Sequence, residues 1–132
     1  MNRMKDESRE KRKTKRYCKT LELKDDPALM QAYKEAHAPG ACWPEIATGM
    51  REVGILDMEI YMDGPRLFMI METVLDFDHD RAMAELAKRP RQAEWEAGMS
   101  RFQTASATST AGEKWKMMER IYKMEDSGGP VG

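Results

Sequence analysis

The sequence predicts an α+β domain built on one antiparallel sheet, and three observations carry that expectation. Arg16–Leu23, Ile55–Met62 and Arg66–Val74 alternate with the period of two that marks strands. Between and after them, Pro27 to His37, Pro44 to Val53, Asp80 to Lys88 and Pro90 to Ser100 place apolar residues at three- and four-residue steps, the helical period. A last strand within Lys114 to Met124, centred on Met118 to Tyr122, completes the order β-α-β-β-α-β, the split ferredoxin-like unit.

Taken in order, residues 1–15 are polar, charged and aperiodic, and are expected to form a disordered basic tail. The folded domain is expected over 16–125, followed by a flexible tail over 126–132. In the first strand Tyr17, Lys19, Leu21 and Leu23 oppose Cys18, Thr20 and Glu22. Asp26 before Pro27 is a capping acid followed by a proline at the first helical position, where a missing N–H costs nothing. Ala38 precedes Pro39 and is pushed out of the helical region, so this helix should stop at about His37. Pro44 opens the next helix, with Ile46, Met50 and Val53 on one face, and Gly54 ends it where a left-handed residue is wanted. Leu56, Met58, Ile60 and Met62 then oppose Ile55, Asp57, Glu59 and Tyr61, and the turn Asp63-Gly64-Pro65 makes a hairpin with the following strand. Leu67 to Met71 is apolar on both faces, more than a sheet with one wet side needs. A partner subunit is the expected cover, which would pair two open sheets into a dimeric α+β barrel. Trp95, Met99 and Phe102 mark the buried side of the fourth helix, and residues 103–112 are small and polar, hence a loop.

Composition narrows the function classes. A charged content of 34% and a hydrophobic content of 41% suit a soluble globular protein. Residues 1–16 hold eight Lys/Arg against three acids, which leaves about −6 on the rest of a chain of net charge −1. The domain is therefore a poor partner for a phosphate backbone, and the basic run Lys11 to Arg16 reads as a solvated terminus. With no apolar run of membrane length and no leader-like start, the expected location is the cytoplasm. Cys18 and Cys42 are too few and too far apart for a zinc motif or disulfide framework. No glycine-rich phosphate loop, nucleophile elbow or metal-ligand spacing is present, so no metal and no cofactor are expected. The thirteen methionines read as flexible gap-fillers of the core, although a Met-lined cavity could take an amphiphilic ligand.

The candidate chemistry lies around His37. A helix sets Tyr33 and His37, four residues apart, on one face. At a helix C-terminus the macrodipole favours the imidazolium, so the His37 pKa is expected to rise and the ring to exchange protons near neutral pH. The alternative is a histidine that only caps the helix. Trp43 beside Pro44 reads as a packing anchor, Trp95 as core, and His79 as part of a polar turn. Asp57 and Glu59 share a strand face and could form an acid/base pair, but solvent-facing strand carboxylates are the commoner case.

Several stretches together resemble the L-rhamnose mutarotase family. They are Arg16-Tyr17-Cys18, the Tyr33/His37 pair, Trp43-Pro44-Glu45-Ile46, Gly54 through Tyr61, Arg66 through Glu72, Trp95-Glu96 and Gly112 through Trp115. The resemblance runs from about Arg16 to Met124 and implies the dimeric ferredoxin-like barrel together with cofactor-free interconversion of the α and β anomers of a 6-deoxy-hexose. It further implies His37 as the proton donor to the ring oxygen and Tyr33 as a sugar contact that orients the anomeric hydroxyl. Met58 stands where rhamnose-active members carry a tyrosine, and Trp95-Glu96 where they carry two tryptophans. Met58, Trp95 and Glu96 are therefore the expected specificity contacts, and the pattern is similar to the L-fucose branch of the family. His37 is also six residues from Trp43, about two more than is usual there. Implied partners are a free monosaccharide and a second copy of the chain, with no nucleic acid and no membrane. Two other classes share such folds: a haem-binding or cofactor-free monooxygenase, in which a lone histidine would ligate iron, and a non-catalytic sugar-binding protein.

Overall fold

The computed structural model describes residues 13–104 and 109–125. The elements are β1 (Thr14–Glu22), α1 (Pro27–Ala36), α2 (Pro44–Glu52), β2 (Ile55–Asp63), β3 (Arg66–Val74), α3 (His79–Leu86), α4 (Gln92–Met99), a 3₁₀ turn (Ser100–Phe102), α5 (Ala111–Lys114) and β4 (Lys116–Met117). The four strands form one sheet in the order β2-β3-β1-β4, and every pairing is antiparallel. The expected α+β architecture is therefore the observed one. Of the expected tail, residues 1–12 lie outside the described residues, as do 126–132. Thr14 and Lys15 already pair with Val74 and Thr73 of β3, so the first strand begins two residues earlier than its alternation suggested.

One face of the sheet is buried under the helices. Leu21 and Lys19 of β1, and Leu67, Met69, Met71 and Thr73 of β3, point into that interface with Tyr33, Ile46, Leu86, Trp95 and Phe102 from the other side. Leu67 is fully buried at 0% exposure and pairs with Leu21 of β1 and Met62 of β2. The opposite face carries Cys18, Phe68 and Ile70, half-buried, and Tyr61, exposed. That face is the outward half of the two-sided apolar pattern of β3.

Local chemistry explains the boundaries. The Asp26 carboxylate accepts from the Ala28 and Leu29 amides at 2.9 and 3.2 Å, and Pro27 takes the first helical position, as its sequence context predicted. Gly54 turns the chain from α2 into β2 at φ +103°, a left-handed conformation that a Cβ resists. Its carbonyl accepts from the Val74 amide at 3.0 Å, which locks the end of α2 to β3.

The structure corrects four expectations. A bulge between Ile55 and Asp57 shifts the β2 register, so Ile55 points into the core at 2% exposure and Leu56 points out at 54%. The final strand is two residues long rather than centred on Met118 to Tyr122. Continued past Met117, its register would set Arg120 opposite Arg16, a like-charge pair that opposes further pairing. Ile121, Tyr122 and Met124 instead leave the sheet at 89%, 75% and 86% exposure. Finally, the supposed loop closes in α5, started by a capping box in which Thr110 and Glu113 satisfy each other's backbone amides, and Lys114 belongs to that helix rather than to a strand. A Cβ on Gly54 would meet Val74 Cγ2 at 3.1 Å and Phe77 Cδ1 at 3.2 Å. Gly54→Ala is therefore expected to lower the unfolding free energy by about 1–3 kcal/mol, read as a reduced urea midpoint at unchanged slope.

Candidate active site

A cavity of about 440 Å³ lies between the sheet and the helices. Its wall takes Tyr33 from α1, His37 from the turn after it, Met58 from β2, Trp95 and Glu96 from α4, and Lys19 from β1. The five residues that the family resemblance implied for the site, Tyr33, His37, Met58, Trp95 and Glu96, thus line one cavity, within the 300–1,000 Å³ usual for small-molecule sites. Six of the thirteen methionines, Met50, Met58, Met69, Met71, Met83 and Met99, line it as well. The methionine content therefore builds the cavity as well as the core.

The proline-enforced end of α1 places His37. It follows the last helical turn at φ −103° and ψ 2°, and its Nδ1 lies 2.9 Å from the Tyr33 carbonyl. A carbonyl only accepts, so Nδ1 carries the hydrogen and donates it. In the neutral ring Nε2 then holds the lone pair and is the atom left for a ligand. The ring lies 4.3 Å from that of Tyr33 and meets Trp95 edge-on at 5.4 Å, between centroids. Burial pushes the His37 pKa below its ordinary value; the bond to the Tyr33 carbonyl and the Glu96 charge oppose the shift without reversing it. The dipole argument predicted the opposite direction. Desolvation by the aromatic neighbours outweighs a helix end of only partial charge.

Tyr33 is 4% exposed, and its phenol pKa is pushed well up, first by burial and then by the Glu96 carboxylate, with a Gln103 hydrogen bond opposing. It is a neutral hydrogen-bonding group at any physiological pH. Gln103 is itself buried, lines the cavity, and among the described residues leaves its Oε1 without a partner.

Trp95 presents its ring to the cavity because a second indole braces it. Trp43 meets it edge-on at 5.2 Å, and the Arg91 guanidinium stacks over Trp43 at 3.8 Å. Arg91 is the sole non-glycine residue with positive φ (63°) among the described residues, and it sits at the start of α4. Both Glu94 oxygens hold it at 3.1 and 3.2 Å, and Glu45 of the Trp43-Pro44-Glu45 step approaches to 3.9 Å. Arg91, Trp43 and Trp95 thus form a stack that fixes one wall.

Glu96 is 8% exposed and charge-compensated: Lys114 Nζ donates to its Oε1 at 3.0 Å and to its backbone carbonyl, and Gln92 Nε2 donates to its Oε2 at 2.8 Å. Each carboxylate oxygen keeps a further acceptor position. Lys114, Gln92, Arg91 and Gln103 escaped the sequence reading. A buried glutamate demands a cationic partner, yet nothing in the spacing shows that a residue eighteen positions on supplies it.

The other candidates fall outside the site or at its rim. His79 binds Asp80 at 2.9 Å and packs on Tyr17, away from the cavity. Asp57 and Glu59 are exposed, and Asp57 accepts from the Met58 amide at 2.9 Å. Cys18 and Cys42 are both free thiols. Among the described residues no group of His, Cys, Asp and Glu could hold a metal ion, and no helix is long and apolar enough to cross a membrane.

An imidazole, a phenol and an indole face thus meet around one small cavity of a ferredoxin-like α+β domain. The chain belongs to the L-rhamnose mutarotase family, whose model matches residues 16–124. It is 39% identical over 112 residues to a protein of Xanthomonas campestris pv. campestris named L-fucose mutarotase, covering 85% of this chain and 90% of that one. It is 30% identical over 115 residues to a UPF0734 protein of Dictyostelium discoideum, covering 84% and 90%. The fold matches the crystal structure of an L-rhamnose mutarotase from Formosa agariphila with a TM-score of 0.63 at 22% identity, over 84% of this chain and 99% of that one.

The buried ion pair gives a direct test of the wall. Lys114→Met strips Glu96 of its cation and is expected to cost about 3–5 kcal/mol of stability, measured by urea unfolding. A loss under about 1 kcal/mol, the range of surface pairs, would show that the pair does not hold α5 to α4.

Proposed function

We propose that the protein interconverts the α and β anomers of a free 6-deoxy-hexose, L-fucose in preference to L-rhamnose, with His37 as the proton-transfer residue. The observation that carries this reading is the bond from His37 Nδ1 to the Tyr33 carbonyl, which leaves a basic Nε2 in the cavity. Ring opening needs a base at the anomeric hydroxyl and an acid at the ring oxygen; the free aldehyde then turns about C1–C2 and closes from its other face. The resting His37 is neutral, since burial lowers its pKa. It therefore begins as the base at the anomeric hydroxyl and returns the proton on closure. This reverses the starting direction expected from the sequence, in which His37 first protonates the ring oxygen.

Tyr33 and Glu96 hold sugar hydroxyls, Trp95 offers a flat face to the ring carbons, and Met58 contacts the apolar edge. The fucose preference is supported by Met58 and Glu96 and by the name of the Xanthomonas relative. We place the protein in the cytoplasm, where free Cys18 and Cys42 remain reduced, and give its acidic domain no nucleic-acid or membrane partner.

Saturation-transfer NMR on the anomeric protons of both sugars tests the reaction. Accelerated exchange is expected, larger for L-fucose, and His37→Ala should lower it by roughly 10²-fold or more with the fold intact. Acceleration should also fall as pH drops through the His37 pKa, below the ordinary value of about 6.5, because the protonated ring cannot act as the base. Bound sugar with unchanged exchange would instead identify a non-catalytic binding protein.

We further propose a homodimer, on the outward apolar face of β3 and the exposed Ile121, Tyr122 and Met124, which together offer a second copy both a sheet face and an arm. Sedimentation should give a dimer that Ile121→Glu weakens; a wild-type chain that stays monomeric at high concentration would overturn this.

A further inference from the structure

Two lysines are buried in this domain, and they differ in one respect. Lys114 is 5% exposed and bound to Glu96. Lys19 is 2% exposed and makes no ion pair among the described residues; its Nζ meets only Met83 Sδ, at 3.8 Å. A thioether is a weak acceptor, and lysines are almost never fully buried unless paired. The side chain does not snorkel to solvent either. It projects from the core face of β1, between Met69 of β3 and Met117 of β4, into the wall of the cavity that holds His37 and Tyr33.

The reaction assigned above leaves one role unfilled. With His37 as base, an acid must meet the ring oxygen. Tyr33 is disfavoured, because its phenol is made less acidic by burial and by Glu96. Glu96 has both oxygens engaged as acceptors by Lys114 and Gln92.

We propose that Lys19 is this acid, a second catalytic residue of the site. The inference rests on the anomer-exchange reading. In the opening step the Lys19 ammonium gives a proton to the ring oxygen as the C1–O5 bond breaks and its electron pair moves to that oxygen. His37 Nε2 takes the proton of the anomeric hydroxyl, whose O–H pair becomes the second bond of the aldehyde. Closure on the other face runs both transfers backward, so lysine and histidine regain their starting states with no co-reactant.

The electrostatics suit the task. Desolvation lowers the Lys19 pKa to about 8, and the Asp80 carboxylate on α3 opposes the shift. The other titratable groups on the cavity wall are Tyr33, His37, Cys42, Arg51, Asp57 and Glu96. Burial pushes Tyr33 and Cys42 up and His37 down, so none of these three supplies a transition near 8.

The test compares wild type, Lys19→Met and Lys19→Arg by anomeric saturation transfer from pH 5 to 10, corrected for the spontaneous rate. Met keeps the length and apolar stem and removes an unpaired buried charge, so the thermal midpoint should hold or rise. Expected are a loss of roughly 10²-fold in kcat with KM changed less than threefold, no recovery in Lys19→Arg, whose guanidinium keeps the charge but does not give up a proton, and a wild-type rate that declines above about pH 8 through a limb absent from the Met variant. Folded Lys19→Met within threefold of wild type would overturn the assignment. So would a wild-type rate that stays level to pH 10, a readout that holds even if the Met variant fails to fold. A wild type that accelerates neither sugar would remove the reaction itself and the lysine's part with it, whereas an active wild type beside an equally active Lys19→Met removes the lysine alone.

Discussion

The burial of Glu96 constrains the whole helical layer. A carboxylate 8% exposed survives in an interior only with its charge met and its lone pairs engaged. Gln92, one turn earlier on α4, meets one oxygen, and Lys114 meets the other while also tying down the Glu96 carbonyl. For Lys114 to arrive there, α5 must fold back over α4 and α3. The Thr110–Glu113 capping box starts that helix, and Gly112, where a Cβ would lie 3.1 Å from Met83 Cβ, lets it come close. One acid on α4 thus dictates the path of a segment that looked like a polar loop. Its charge also reaches Tyr33 and His37, adding to the burial that raises the phenol pKa and opposing the burial that lowers the imidazole pKa.

The second constraint is the termination of α1. Pro39 stops the helix early enough that the His37 imidazole folds back on its own last turn and bonds the Tyr33 carbonyl. A longer helix would have satisfied that carbonyl with a backbone amide and left the tautomer of His37 undetermined. Local backbone chemistry therefore decides which nitrogen is basic, while the aromatic surroundings decide that the ring is neutral. The two effects act on the same ring and leave a neutral imidazole with a free Nε2 on a residue of the cavity wall.

Most of the architecture was legible because it rests on local rules. Alternation exposed β1, β2 and β3; Asp26-Pro27 and Gly54 marked helix ends through capping and left-handed geometry; and the i, i+4 spacing placed Tyr33 and His37 together. The errors arose where tertiary context overrules local pattern. Ile55 and Leu56 are both apolar, so alternation alone could not reveal the bulge that exchanges them. Ile121 and Tyr122 have strand-forming side chains but no compatible neighbour, since the register would oppose Arg120 to Arg16. The direction of the His37 pKa shift depends on burial by Trp95 and Tyr33, contacts that a one-dimensional pattern does not contain.

Lys19 shows the same limit in its most instructive form. Alternation put it on the side of Tyr17, Leu21 and Leu23, a position that implies burial, yet a lysine in such a stripe reads as an exception to be ignored. The cavity makes the exception meaningful. Apolar walls, with six methionines among them, accept the carbon edge of a deoxy-sugar at little cost and also strip water from any amine among them, which brings the amine's pKa toward neutrality. The same desolvation that holds His37 neutral makes Lys19 a better acid. An apolar pocket thereby keeps the imidazole unprotonated and lowers the amine's pKa to about 8, so that a base and an acid stand ready for one substrate at one pH.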